Sequence, residues 1–191
     1  YNNQYIYRYK YSILLYHKIN FMSSALFSFL GGKTMNLPEI FNSLSKLQES
    51  NSISEIYKLN DDLKTHNLAL SAKDAKDIIK TRNNVLKAQG RIELNLDVMK
   101  SIIKELGKSS YVNQDNLVET ISDMYEVFHY VKNSTSDFLC DDEILKTIMF
   151  FYNTVYGGSM ELVKGKGISK IVDNFRNGKD IDDMKEEEDN E

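Results

Sequence analysis

From Met35 onward, apolar residues recur at helical spacing and show little of the strict alternation of a strand. Leu37, Ile40, Phe41, Leu44 and Leu47 form a first stripe, opened by an Asn36 cap with Pro38 at the start, where its missing N–H matters least. Such a stripe must be covered. Ser52 or Ser54 then starts a second helix with Ile53, Ile56, Leu59 and Leu63 inward, stopped near His66 and Asn67. Ser71-Ala72-Lys73-Asp74 predicts a capped N-terminus. The helix behind it carries Ala75, Ile78, Ile79, Arg82, Val85 and Leu86 and ends at Gly90. A fourth helix over Leu96–Leu106 buries Val98, Ile102, Ile103 and Leu106 and stops at Gly107.

Asn113 or Asp115 caps a long helix whose Leu117, Ile121, Met124, Phe128 and Val131 follow a 4-3-4-3 spacing, the seam of near-antiparallel bundle packing. Asp141 or Asp142 opens the most apolar helix, with Ile144, Ile148, Phe151 and Val155 on one stripe and Leu145, Met149 and Tyr152 beside it. That wide arc predicts a central helix contacted on more than one side. Gly157-Gly158 breaks it, and Ser159 caps a short helix with Leu162 and Val163. Beyond Gly165 and Gly167, a last amphipathic helix holds Ile168, Ile171, Val172 and Phe175. The pattern predicts an all-α fold: an irregular bundle of about seven helices in a single domain over residues 35–177.

Charge changes the picture at both ends. Residues 1–34 hold four basic side chains and no acid, residues 35–177 are close to neutral at −2, and residues 178–191 carry −6, summing to the net −4. Residues 1–34 are expected to be a non-domain leader, and three readings stay open. The favoured one is translated upstream sequence: this stretch is rich in Tyr, Asn, Ile, Lys and Phe, and the codons of Gly31-Gly32-Lys33 can spell a purine-rich ribosome-binding sequence ahead of Met35. A helical arm packed on the domain is the second. A membrane anchor over Ile13–Leu30 is the third, and Lys18 within that run opposes it by ~2.5–3.5 kcal/mol at a bilayer centre. The acidic stretch 178–191 is expected to be a disordered tail, since its few apolar residues cannot offset ordering entropy.

Composition excludes more than it selects. The single cysteine, Cys140, excludes a disulfide scaffold, a Cys-based zinc finger and a CxxC redox centre. His17, His66 and His129 are too far apart for a local metal cluster, and Asp141-Asp142-Glu143 lacks the further oxygen ligands of a calcium loop. No metal and no cofactor are expected. Gly157-Gly158-Ser159 lacks the Lys-Ser/Thr ending of a phosphate-binding loop and reads as an interhelical corner. The slightly acidic domain has no dense basic stripe, so nucleic acid is not an expected partner.

The polar residues that remain are Arg82, Arg91, Glu93, Tyr130, Lys132, Asp141, Asp142 and Glu143, the candidates for a ligand site inside the bundle. Arg82 lies near an apolar stripe, where a guanidinium needs a carboxylate or carbonyl partner. The segment between Gly90 and Leu96 is expected to be extended, which turns Arg91 and Glu93 to one side and Ile92 to the other. Arg91 and Glu93 then form a structural tie or an anion clamp, and the tie is favoured. His129 follows Tyr125 by four residues and is expected to be partly exposed. Catalytic residues are not assigned.

Five segments carry a resemblance: Ala72-Lys73-Asp74-Ala75, Gly90-Arg91-Ile92-Glu93-Leu94, Tyr130-Val131-Lys132-Asn133, Asp141-Asp142-Glu143-Ile144 and Gly157-Gly158-Ser159-Met160-Glu161-Leu162. In order and spacing, from about Leu37 to Arg176, the chain resembles a family of uncharacterised helical proteins of low-GC Gram-positive bacteria. The resemblance implies a bacterial, cytoplasmic, helical protein and supplies no catalytic residue. The sequence thus predicts a non-enzymatic protein-interaction or regulatory module whose partner is a protein. The alternative is a binding protein or enzyme for a small anion or carboxylate.

Overall fold

The computed structural model describes residues 37–188, side chains being described over 46–186, and every regular element among the described residues is helical. Helix α1 runs over Leu37–Lys58 and α2 over Asn60–Leu63, followed by a 3₁₀ turn over Lys64–His66. Helix α3 spans Ala72–Ala88, α4 Asp97–Gly107, and α5 Leu117–Ser134. Helix α6, Asp141–Phe150, continues into a π turn over Phe151–Val155. Helix α7, Met160–Leu162, passes through a π turn over Val163–Gly167 into α8, Ile168–Arg176; α9 is Ile181–Glu188. The expected leader 1–34, with its arm and anchor readings, and the Asn36 cap lie outside the described residues. No described helix is long and apolar enough to cross a membrane.

The chain divides into two compact units at Lys46/Leu47. In the body from Leu47 onward, α5 holds the most central place. It buries Leu117, Ile121, Met124, Phe128 and Val131 as the seam requires, and packs on α3, α4, α6 and α8. Helix α6 is contacted on more than one side, by α4, α5 and α9. Two expected breaks are absent. Ser52 and Ser54 sit inside α1, which runs uninterrupted to Lys58, and Gly165 and Gly167 lie inside a π turn. With no proline or glycine from Glu39 to Lys58, nothing in α1 forces a stop. Leu47, expected to be covered, is half-exposed.

The helix ends follow local chemistry. Ser71 Oγ accepts the Asp74 N–H at 3.1 Å while the Asp74 carboxylate accepts the Ser71 N–H at 2.8 Å, a complete capping box. At the far end of α3, Gly90 adopts φ +62°, and the N–H groups of Gly90 and Arg91 donate to the Lys87 and Leu86 carbonyls. This is a Schellman stop, and it turns the chain directly into the 91–95 segment. Asn67 makes the same left-handed stop at φ 59°. At the end of α5 the stop falls on two residues other than glycine, Ser136 at φ 55° and Asp137 at φ 60°. Gly158 is needed twice over: its φ is +84°, and a Cβ there would lie 2.3 Å from Tyr111 Cβ.

Residues 178–191, expected to be disordered, contain α9. Asp180 caps it by accepting the Asp182 and Asp183 N–H groups, and Met184 is buried at 1% exposure against α6. Burying one methionine contributes about 1.5–3 kcal/mol.

Candidate functional site

Three of the sequence candidates meet at one corner, where the α3–α4 connection crosses the end of α5. Residues 91–94 alternate as expected: Arg91 and Glu93 are half-buried, while Ile92 and Leu94 face solvent. Arg82, on the buried face of α3, fixes that alternation. Its Nη2 donates to the carbonyls of Glu93 at 2.8 Å and Asn95 at 2.6 Å, and its Nη1 to Asn83 Oδ1 at 3.2 Å. One nitrogen can reach both carbonyls because the chain bends at Asn95, drawing the two oxygens closer than the spacing of about 6.6 Å that a fully extended strand would give them. The carbonyl partner that burial of Arg82 demanded is thus supplied by the next loop.

Arg91 does not pair with Glu93, contrary to the expected tie. Its Nη1 donates to Asn133 Oδ1 and its Nη2 to Asp137 Oδ1, so it clamps the loop that follows α5. Asn133 in turn donates to Gln89 Oε1. Glu93 is engaged from the other side: Tyr125 Oη donates to its Oε2 at 3.3 Å, and His129 Nε2 stands 3.8 Å from its Oε1. The corner is therefore a tie, but through different partners from those expected.

His129, expected to be partly exposed, has 0% exposure and no hydrogen-bond partner on either ring nitrogen. It packs edge-on against the rings of Tyr125, at 4.4 Å, and Phe128, at 5.2 Å. Burial, reinforced by the cations of Arg91 and Lys132, lowers its pKa from 6.5 to about 4, so it is neutral at pH 7. Burial and the Glu93 carboxylate push the Tyr125 hydroxyl well above its ordinary value of 10.0. The positions of Tyr125, Phe128 and His129 at i, i+3 and i+4 placed all three on one face; that spacing was the signal for the histidine's burial.

Of the remaining candidates, Lys132 and Asp141 stand near enough to the corner to act on His129, and the others disperse. Lys132 pairs with Asp141 across the α5–α6 corner and lies 5.7 Å from the Phe128 ring centroid. Tyr130 is half-exposed on α5. Asp142 and Glu143 lie in the first turn of α6, where carboxylates complement the helix dipole, and Cys140 rather than Asp141 or Asp142 takes the cap position, with no side-chain cap bond. Among the described residues, no group of three His, Cys, Asp or Glu is placed to hold a metal ion. Clefts open elsewhere: one of about 330 Å³ lies between Leu63 and Ile103, and one of about 480 Å³ between α6 and α9.

On the outer side of the corner, three large apolar side chains are turned to solvent. Ile92 is 87% exposed, Phe138 88%, and Leu94 more than half. Ile92 and Phe138 directly follow Arg91 and Asp137, the two residues that bind the loops together.

The fold and this corner define an all-helical protein with a polar tie beneath exposed apolar loops. Residues 55–181, about two-thirds of the chain, match the Family of unknown function (DUF6323), and the chain belongs to that family. The match covers α2 to α8 and the whole corner, and starts later than the resemblance read from the sequence. Neither the curated proteins nor the solved structures contain a match.

Proposed function

We propose that this protein is a non-enzymatic protein-interaction module whose contact surface is the loop corner carrying Ile92, Leu94 and Phe138. One observation carries the reading: these exposed apolar side chains stand on loops fixed from beneath by Arg82 and Arg91. Exposed apolar groups on preordered loops lose little conformational freedom when a partner covers them, which is the condition for an efficient contact site. The bacterial, cytoplasmic setting in this proposal rests on the family resemblance.

A carboxylate clamp at the same corner has less support, because Arg82 and Arg91 already donate to protein oxygens. The test is a full-length Ile92→Glu/Phe138→Glu variant compared with the parent in affinity capture from extracts of the source cells. Proteins retained by the parent and lost from a variant of unchanged melting temperature support the contact surface; identical sets from both reject it. A melting temperature raised by succinate in the parent but not in Arg91→Ala would favour the clamp instead.

A further inference from the structure

The outward face of α3 carries a row of lysines. Lys73, Lys76, Lys80 and Lys87 fall within an arc of about 60° along about 21 Å of helix, opposite the face that buries Ile78, Arg82 and Leu86. All four are exposed, and among the described residues none pairs with a carboxylate, Asp77 beside the row included. Lysines elsewhere find acids on other elements: Lys100 with Glu55, Lys104 with Asp62, Lys132 with Asp141 and Lys164 with Asp123. The row works against its own helix. Lys73 with Lys76, and Lys76 with Lys80, are like-charge neighbours at i,i+3 and i,i+4, and Lys73 in the first turn opposes the positive end of the helix dipole. Departures of this kind from local preference concentrate at functional sites. The row also leads to the loop corner. Past Lys87 the helix stops at Gly90, and the bond from the Arg91 N–H to the Leu86 carbonyl, 2.8 Å, holds the chain beside the last turn of α3. Lysine row and exposed Ile92 therefore adjoin at one end of the helix.

We propose that the lysine row and the loop corner are one continuous docking surface for a segment of another protein, acidic along the length of the row and apolar at one end. This rests on the reading of the corner as a contact surface and adds the charge and polarity of the partner. The row is one helix wide, which suits a single segment of chain. It holds no arginine to grip a phosphate in two bonds and no aromatic side chain to stack on a base. Phe138 supplies the argument against a broad anionic surface, because Asp141, Asp142 and Glu143 follow it three to five residues on. A bilayer or duplex that reached both the lysines and Phe138 would meet these acids too, whereas a protein segment presents carboxylates to α3 alone. The two signs of charge fix the direction of the bound segment, with its acidic part on α3 and its apolar end over Ile92, Leu94 and Phe138. Exposed ion pairs are individually weak, so the row steers and orients the segment while the corner holds it.

The test uses the full chain and a fluorescent synthetic peptide of twelve glutamates followed by Leu-Ala-Phe-Leu. Its affinity should fall about tenfold between 50 and 500 mM sodium chloride, and about tenfold in the Lys76→Gln/Lys80→Gln/Lys87→Gln variant. A peptide with glutamine in place of glutamate should bind the parent as weakly as the variant binds the original. Ile92→Ser/Phe138→Ser should also weaken binding of the original peptide. The two readings fail separately. If only the lysine variant binds like the parent, the row is overturned and the corner stands; if only the Ile92→Ser/Phe138→Ser variant does, the corner fails and the continuous surface with it. Tighter binding to phosphatidylserine vesicles or to a short DNA duplex than to the peptide would overturn the choice of a protein partner, and no binding of the peptide at 1 mM would overturn the whole proposal. The lysine variant should melt no lower than the parent, since it relieves like-charge neighbours. A clear fall would make the row part of what holds the fold, and would sink the proposal as well.

Discussion

The loop corner and the α6–α9 seam hold chain segments by opposite means. At the corner, Arg82 takes two carbonyls of the 91–95 segment and Arg91 takes Asn133 and Asp137, so two loops are fixed by several directional bonds. At the seam, α9 rests on α6 through apolar contact, with Met184 buried and Ile181 half-buried beside it. Directional bonds to a buried guanidinium are costly to leave unmade, so the Arg82 side of the corner is held more firmly than any surface contact. A small apolar contact carries no such penalty, and a short terminal helix held mainly by one can open before the rest of the fold.

The largest effect is expected where both regions share a foundation. Phe151, with no exposure at the start of the π turn, belongs to the core beneath α6. Phe151→Ala should cost about 3–5 kcal/mol in denaturant unfolding. A change below about 1 kcal/mol would show that the core does not depend on this helix.

Breaking the corner comes next. Arg82→Met leaves two carbonyls without their donor and should cost about 2–4 kcal/mol, measured the same way. If the cost equals that of an exposed residue, the corner is held by packing alone and the contrast with the seam collapses.

Acid should loosen the corner before the seam. His129 has a folded pKa of about 4 against an ordinary 6.5, so between these values the unfolded chain binds the extra proton. Stability from this group is complete above pH 6.5 and is lost as the pH falls toward 4, up to about 3 kcal/mol. Urea midpoints of the parent should fall over that window, and those of His129→Gln should fall less. Parallel slopes would remove His129 from the account.

The smallest effect is at the seam. Met184→Asp should move the global unfolding transition by no more than the burial of one methionine, about 1.5–3 kcal/mol, while raising amide exchange in α9 alone. Loss of protection throughout α6 would make α9 an integral part of the core.

What the sequence disclosed depended on range. The capping box at Ser71, the left-handed stops at Asn67 and Gly90 and the α5 seam are set by residues within a turn or two of each other, and all were legible. The outward turn of Ile92 was legible for the same reason, since a short link between two helix ends is extended and alternates. The partners of Arg91 were not. Asp137 is 46 residues away, and no spacing rule connects the two. Glu93, two residues off, was the nearer guess, but the extended backbone sends it to Tyr125 instead. The buried Met184 was hidden by its neighbours: eight acids over residues 178–191 read as disorder, and one apolar anchor does not alter a composition.

The left-handed pair at Ser136 and Asp137 gives Arg91 a further consequence. Each residue holds a conformation that side-chain-bearing residues adopt at a cost of about 1–2 kcal/mol, with aspartate at the lenient end. The turn behind α5 is thus a small spring, and the Arg91–Asp137 ion pair is its catch. The N–H groups of Ser136, Asp137 and Phe138 donate to the Asn133, Lys132 and Thr135 carbonyls, so the spring is held from within as well as by its catch. The Phe138 ring thus stands on a turn wound tight by its own backbone and latched by a guanidinium from a neighbouring loop, so a charge lying underneath helps to set the bearing of an apolar group above it.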